Sequence, residues 1–194
     1  MECRRRPPTC SVDLSAFAGY RFPPLLIDAA RLCRHADGSR WFVDETYVKI
    51  AGVWRYVYST VDEHDQVIDV LLSRRRDIAA ARRFFATALD AHGKPGEVVT
   101  DRAATPAYAI VELKPDAVHN TAQHANNRIE CDHGSLKARL RPMRGMKTNQ
   151  TASVIIRGRA FIQNIRRGHY ELGTESRHDQ LRVAAAFDEL ATTL

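Results

Sequence analysis

The chain has 194 residues, of which 44% are hydrophobic, enough for one domain with a filled core or one domain plus a short appendage. Its formal net charge of +6 suits a polyanionic partner such as nucleic acid without requiring one. No stretch approaches the roughly 18 apolar residues that cross a bilayer. The N-terminus carries early arginines but no apolar segment of the secretory kind, so a cytoplasmic protein is expected. Cys3, Cys10, Cys33 and Cys131 make no Cys-x-x-Cys pair, which favours free thiols over zinc.

Residues 1–24 hold arginines and Pro7, Pro8, Pro23 and Pro24 with no period, and read as an irregular or truncated segment. Residues 25–34 can form a short amphipathic helix. From Trp41 the composition changes: RWFVDETYVKI is β-branched and aromatic and predicts a strand. Ala51-Gly52 is a turn, and 53–62 alternates, with Trp54, Tyr56 and Tyr58 on one face. Residues 67–73 give a third strand, so the three form an antiparallel meander. Ile78, Ala81, Phe84, Phe85, Ala88 and Leu89 then recur at helical spacing, with Gly93 as the stop. EVVT (97–100) is a short buried strand, 106–114 a helix, 117–121 a last short strand, and 125–140 a helix weakened by Gly134. A final long helix begins near Thr151. The order β-β-β-α-β-α-β-α-α predicts an α/β fold: a ribonuclease-H-like mixed sheet, three antiparallel strands then alternating helices and strands, with flanking helices.

Three acids stand out. Asp44 lies among apolar strand residues, where a carboxylate is costly unless something compensates it. Asp101 follows the short apolar strand at its C-terminal end, where open α/β sheets gather ligands. Glu130 lies on the later helix. Two aspartates and a glutamate from separate elements can hold two Mg²⁺ ions through oxygen. Each also has an ordinary reading: Asp101 as a helix cap, Glu130 as a solvated helix residue, and Asp44 as a strand residue whose neighbour Glu45 takes the exposed place. Trp54 and the nearby tyrosines read as core rather than as base-stacking residues.

The blocks RWFVDETYVKIAGVWRYVYSTVD, IDVLLSRRRDIAAARRFF, EVVTDRA and NNRIECDHGSLKARLRPMRGMK occur in that order. Together they resemble the DDE transposases of insertion sequence family six, over about residues 25–172. In that resemblance Asp44 is the aspartate of the W-x-V-D-E-T-Y block, Asp101 that of the T-D-x-A block, and Glu130 the glutamate of the N-N-x-x-E-x-D-H block. It implies a ribonuclease-H-like catalytic domain, two Mg²⁺ ions with Mn²⁺ able to substitute, and cutting and joining of element ends. Its partners would be double-stranded DNA, as element ends and target, and further copies of the chain in a dimer or higher multimer.

Asp132 sits two residues from Glu130 and points elsewhere on the helix, outside the metal set. His133 at i+3 and Lys137 at i+7 share the glutamate's face, and Lys137 could touch a phosphate beside the metals. Arg128, Lys137, Arg139, Arg141, Arg144 and Lys147 outnumber the local acids, as a DNA backbone site requires, and His133 is grouped with them. Arg74, Arg75, Arg76, Arg82 and Arg83 form a second basic cluster. Family members begin with a helix-turn-helix region that 1–24 does not show, and the interval from Asp101 to Glu130 is short. The expectation is therefore a truncated transposase with its catalytic domain at 25–172 and a partly helical tail at 173–194. The rival readings are a catalytically incompetent DNA-binding relic and a metal-dependent nuclease working outside transposition.

Overall fold

The structure is a computed structural model that describes residues 22–100, 112, 117–121, 127–140, 146–176 and 179–192. Strands β1 (Arg40–Ile50), β2 (Val53–Asp62) and β3 (Val67–Ser73) form the expected meander. Between β1 and β2, Ala51 and Gly52 take φ of 47° and 80°. A two-residue turn with both φ positive matches the twist of the strands it joins. Helix α2 (Ile78–His92) begins where Asp77 accepts the Ala80 N–H at 2.8 Å and stops at Gly93, φ 82°. Arg74–Arg76 precede the helix rather than opening it.

Strands β4 (Glu97–Thr100) and β5 (Val118–Asn120) run parallel to β1, giving the sheet order β3-β2-β1-β4-β5. The helix expected over 106–114 lies outside the described residues apart from Glu112, which is helical. Helices α3 (Asn127–Leu140), α4 (Asn149–Arg166) and α5 (Asp179–Ala191) follow. Helix α1 (Phe22–Ala29) starts earlier than residue 25 and runs into a 3₁₀ turn at Ala30–Cys33. Its prolines fall in the first turn, where a missing N–H costs nothing.

Alternation along the strands splits the core. On one face Phe42, Val48, Val57, Val61 and Val70 meet Ile129 and Leu136 of α3 and Ala152 and Ile156 of α4. On the other, Val43, Tyr58 and Val98 meet Ala80, Ala81, Phe84 and Phe85 of α2. A third cluster joins Leu26 and Ala30 to Phe161 and Ile165 of α4 and to Val183, Ala186 and Leu190 of α5. Within residues 173–194, α5 carries Val183, Ala186 and Leu190 into this cluster. At the sheet's outer end, Asn164 of α4 accepts the Val67 N–H and donates to the Val67 carbonyl, both at 2.8 Å.

Candidate active site

The turn at 51–52 fixes the register of β1 against β2: Ile50 faces Val53, and counting back places Asp44 opposite Ser59. β4 pairs with only the first part of β1, its last pair being Val43 with Thr100. Asp44 is therefore the first residue of β1 beyond the reach of β4, at a rim where the sheet narrows. Its carboxylate is not sealed in, with its side chain 14% exposed.

Helix α3 crosses above this point. His133 is buried, with Nδ1 3.2 Å from Asp44 Oδ2 and Nε2 2.6 Å from Ser59 Oγ. An ionised carboxylate only accepts, so Nδ1 presents its N–H to Asp44, while Nε2 shares a hydrogen bond with the Ser59 hydroxyl. The other carboxylate oxygen, Oδ1, accepts the Glu45 N–H at 2.7 Å. Asp44 is thus fixed by one donor on each oxygen. His133 was expected beside DNA on the helix surface. Here it is an interior link between α3 and the sheet, on the side where Ile129 and Leu136 also pack onto it.

Glu130 lies one helical turn before His133 and is exposed. Residues three apart on a helix are neighbours, so Glu130 lies beside His133 on the helix. Asp101, Arg141 and Arg144 lie outside the described residues, as do the side chains of Arg128 and Arg139. Among the described residues no group of three or more His, Cys, Asp or Glu side chains is spaced to hold a metal ion. Asp44 and Glu130 both carry the hard oxygen donors that suit Mg²⁺.

Asp132 is buried and faces α4, where it takes an ion pair from Arg159 at 3.2 Å, another from Arg167 at 3.6 Å, and a short hydrogen bond from Gln163. It stands outside the Asp44 region, as its position on the helix predicts. Lys137 and Lys147 are exposed, and the Lys137 ammonium lies 4.5 Å from the Tyr47 ring centroid. In the second basic cluster, Arg76 pairs with Glu45 and Arg82 with Glu112.

Sequence reasoning missed two features. One is Ser59, which the two-residue turn places opposite Asp44 once the strands are paired. The other is Glu45, which is not the exposed partner of Asp44 but the more buried of the two, at 6%. It faces α2 with Arg76 and Tyr58. Burial raises the Tyr58 hydroxyl pKa to about 12, and the adjacent Glu45 charge adds to the shift. The expectation that Trp54 belongs to the core is also corrected. Tyr58 is fully buried, but Trp54 is 52% and Tyr47 54% exposed, because α2 packs on Tyr58, Val43 and Trp41 and leaves the hairpin tip uncovered.

A family model described as a DDE domain, of the IS240 transposase type, matches residues 38–169. The chain belongs to this DDE domain family. The match opens just before β1, closes after α4, and takes in every element that frames Asp44 and Glu130. The chain is 38% identical over 106 residues to the transposase for insertion sequence-like element IS431mec of Staphylococcus aureus, covering 52% of this chain and 47% of that protein. It has the same identity and coverage with the S. aureus transposase for insertion sequence element IS257 in transposon Tn4003. The chain spans about half the length of these curated relatives. Among solved structures it is similar to a chain of the simian T-cell lymphotropic virus intasome in complex with PP2A regulatory subunit B56 gamma. That match has a TM-score of 0.54 and 15% identity, and covers 76% of this chain and 55% of that one. The DDE domain has the ribonuclease-H-like mixed sheet expected from the order of its elements. No helix among the described residues is long and apolar enough to cross a membrane.

Proposed function

We propose that this DDE domain cuts DNA at the ends of a mobile element and joins the freed 3′ ends to target DNA. The observation that supports this most is the setting of Asp44. It stands at the strand position where β4 ends, held by His133 from the same helix that carries Glu130. Asp101, next in the chain after the last residue of β4, completes the set on the strength of the family's T-D-x-A block.

Asp44, Asp101 and Glu130 would hold two Mg²⁺ ions, with Mn²⁺ able to substitute. When bound, such ions activate an attacking oxygen and stabilise the leaving oxygen at phosphorus. The chain's own side chains do the positioning. His133 and the Glu45 amide fix the two oxygens of Asp44, and Ser59 fixes the ring of His133. Lys137 presents an ammonium for a phosphate. Water first cleaves at the element end, and the 3′-hydroxyl so freed attacks a target phosphorus in line, expelling the target's 3′-oxygen, with no covalent bond between protein and DNA. Arg128, Arg139, Arg141, Arg144 and Lys147 would neutralise the backbone, in the cytoplasm and on paired ends held by two or more copies.

The test is strand joining of precut element ends in Mg²⁺ or Mn²⁺. Asp44→Ala should lose joining while still being retained on a DNA column. Joining at the unmodified rate by Asp44→Ala would refute the assignment.

A further inference from the structure

We propose that the tip of the β1–β2 hairpin is a stacking platform for an unpaired DNA base. The inference rests on the reading that DNA is the substrate, and adds a surface that the acids do not define.

Four side chains make the platform. Across the hairpin Lys49 faces Trp54 directly, with Tyr47 on the diagonal. The Tyr47 and Trp54 rings meet edge to face, with centroids 5.0 Å apart and planes at 88°. Both rings are more than half exposed, and exposed Val53 extends the apolar surface. Two ammonium groups lie on the rings, Lys49 at 5.5 Å from Trp54 and Lys137 at 4.5 Å from Tyr47. Among the described residues neither lysine is ion-paired.

The tip is also anchored. Ala51 N–H donates to the Met146 carbonyl at 2.8 Å, and the Arg55 Nε–H to Asn149 Oδ1 at 3.1 Å. A held pair of rings loses little freedom when something stacks on it.

The chemistry selects the occupant. Exposed aromatic faces bind any base, because every base has a π-face, and flanking cations hold the phosphates on either side. A lysine resting on an exposed ring gains little there, so it can exchange the ring for a phosphate when a base takes its place. Bases inside a duplex are already stacked, so the platform takes an unpaired one. Tyr47 is three residues beyond Asp44 on β1, roughly 10 Å along the strand and on the opposite face of the sheet, and Lys137, one turn beyond His133 on α3, reaches the Tyr47 ring from the Asp44 side.

Intrinsic fluorescence gives the test, because Trp41 is 1% exposed and Trp54 is the other tryptophan. The full chain is titrated without divalent metal, once with oligothymidylate and once with a blunt duplex of equal phosphate count. Oligothymidylate should quench Trp54 emission. Trp54→Ala should weaken oligothymidylate binding, read by anisotropy of labelled DNA, about 5- to 150-fold, the loss of one stacked base. Trp54→Phe should keep most of it, and duplex binding should change little. Unquenched emission, or unchanged oligothymidylate binding by Trp54→Ala, overturns the platform. So does a DNA-free doubling of mass in sedimentation that Trp54→Ala abolishes, since the rings then pair two copies of the chain. Joining of precut ends, run in parallel, separates the two readings. Joining without quenching sinks only the platform, whereas quenching without metal-dependent joining sinks the proposed chemistry.

Discussion

His133 Nδ1 stands 3.2 Å from Asp44 Oδ2, so one imidazole ties the helix that carries Glu130 to the strand that carries Asp44. Ser59, bonded to the far nitrogen of that ring, helps hold its orientation. Partners of this kind, one step removed from a metal ligand, are typically worth 10–100-fold in metal affinity or activity. His133→Ala should therefore raise the Mg²⁺ concentration needed for half-maximal strand joining by about that factor. His133→Asn keeps an N–H near the Nδ1 position and should recover much of the loss. Equal Mg²⁺ curves for the alanine and unmodified proteins would show that the contact does not orient Asp44.

Asp132 anchors α3 to α4 through Arg159, Gln163 and Arg167. Replacing it by alanine leaves the partly buried guanidinium of Arg159 without its counter-charge. Loss of one member of such a pair costs on the order of 2–5 kcal/mol. The urea midpoint of Asp132→Ala should fall accordingly, and an unchanged midpoint would contradict the pairing.

Phe84 is fully buried against Tyr58 and Phe85 on the α2 face of the sheet. Phe84→Ala should destabilise the domain by about 3–5 kcal/mol, read in the same urea experiment. A loss below about 1 kcal/mol would mean that the α2 face is not closed as described.

His169 gives a pH dependence. Burial lowers its pKa below the ordinary histidine value, and its Nε2 has no hydrogen-bond partner among the described residues. The unfolded chain then binds this proton more readily than the folded one. Stability is fully present above the unfolded pKa of about 6.5 and is lost as pH falls through the lower folded value. Melting temperature should drop from pH 7 to pH 5, and His169→Phe should flatten that slope. The same slope in both proteins would remove His169 as the cause.

Lys137 is exposed and free to meet a phosphate. Lys137→Ala should weaken binding of all duplex sequences alike and reduce the salt-dependence slope by about one. Sequence-dependent losses would place it at a base edge instead.

The strands and α2 were legible because alternation and helical spacing act locally, and Asp77 and Gly93 mark where that helix begins and ends. The exclusion of Asp132 from the acidic set followed from its turn angle on the helix. The burial of His133 did not follow, because period tells which residues share a face but not what that face meets. Trp54, Tyr56 and Tyr58 do share a face as alternation requires. Burial falls from Tyr58 to Trp54 because α2 ends short of the hairpin tip, a tertiary limit that no strand pattern carries. Ser59 could have been found from the two-residue turn alone, since 50 opposite 53 places 59 opposite 44. Asp101 and the helix expected over 106–114 fall outside the described residues, so their part in the site rests on the sequence.

The double bond from Asn164 to Val67 has a consequence beyond local stability. Its amide offers the outermost strand the acceptor and donor that a sixth strand would have offered. An aggregating neighbour or a swapped segment meets a blocked register at that residue, since unpaired edges are where sheets recruit foreign chains.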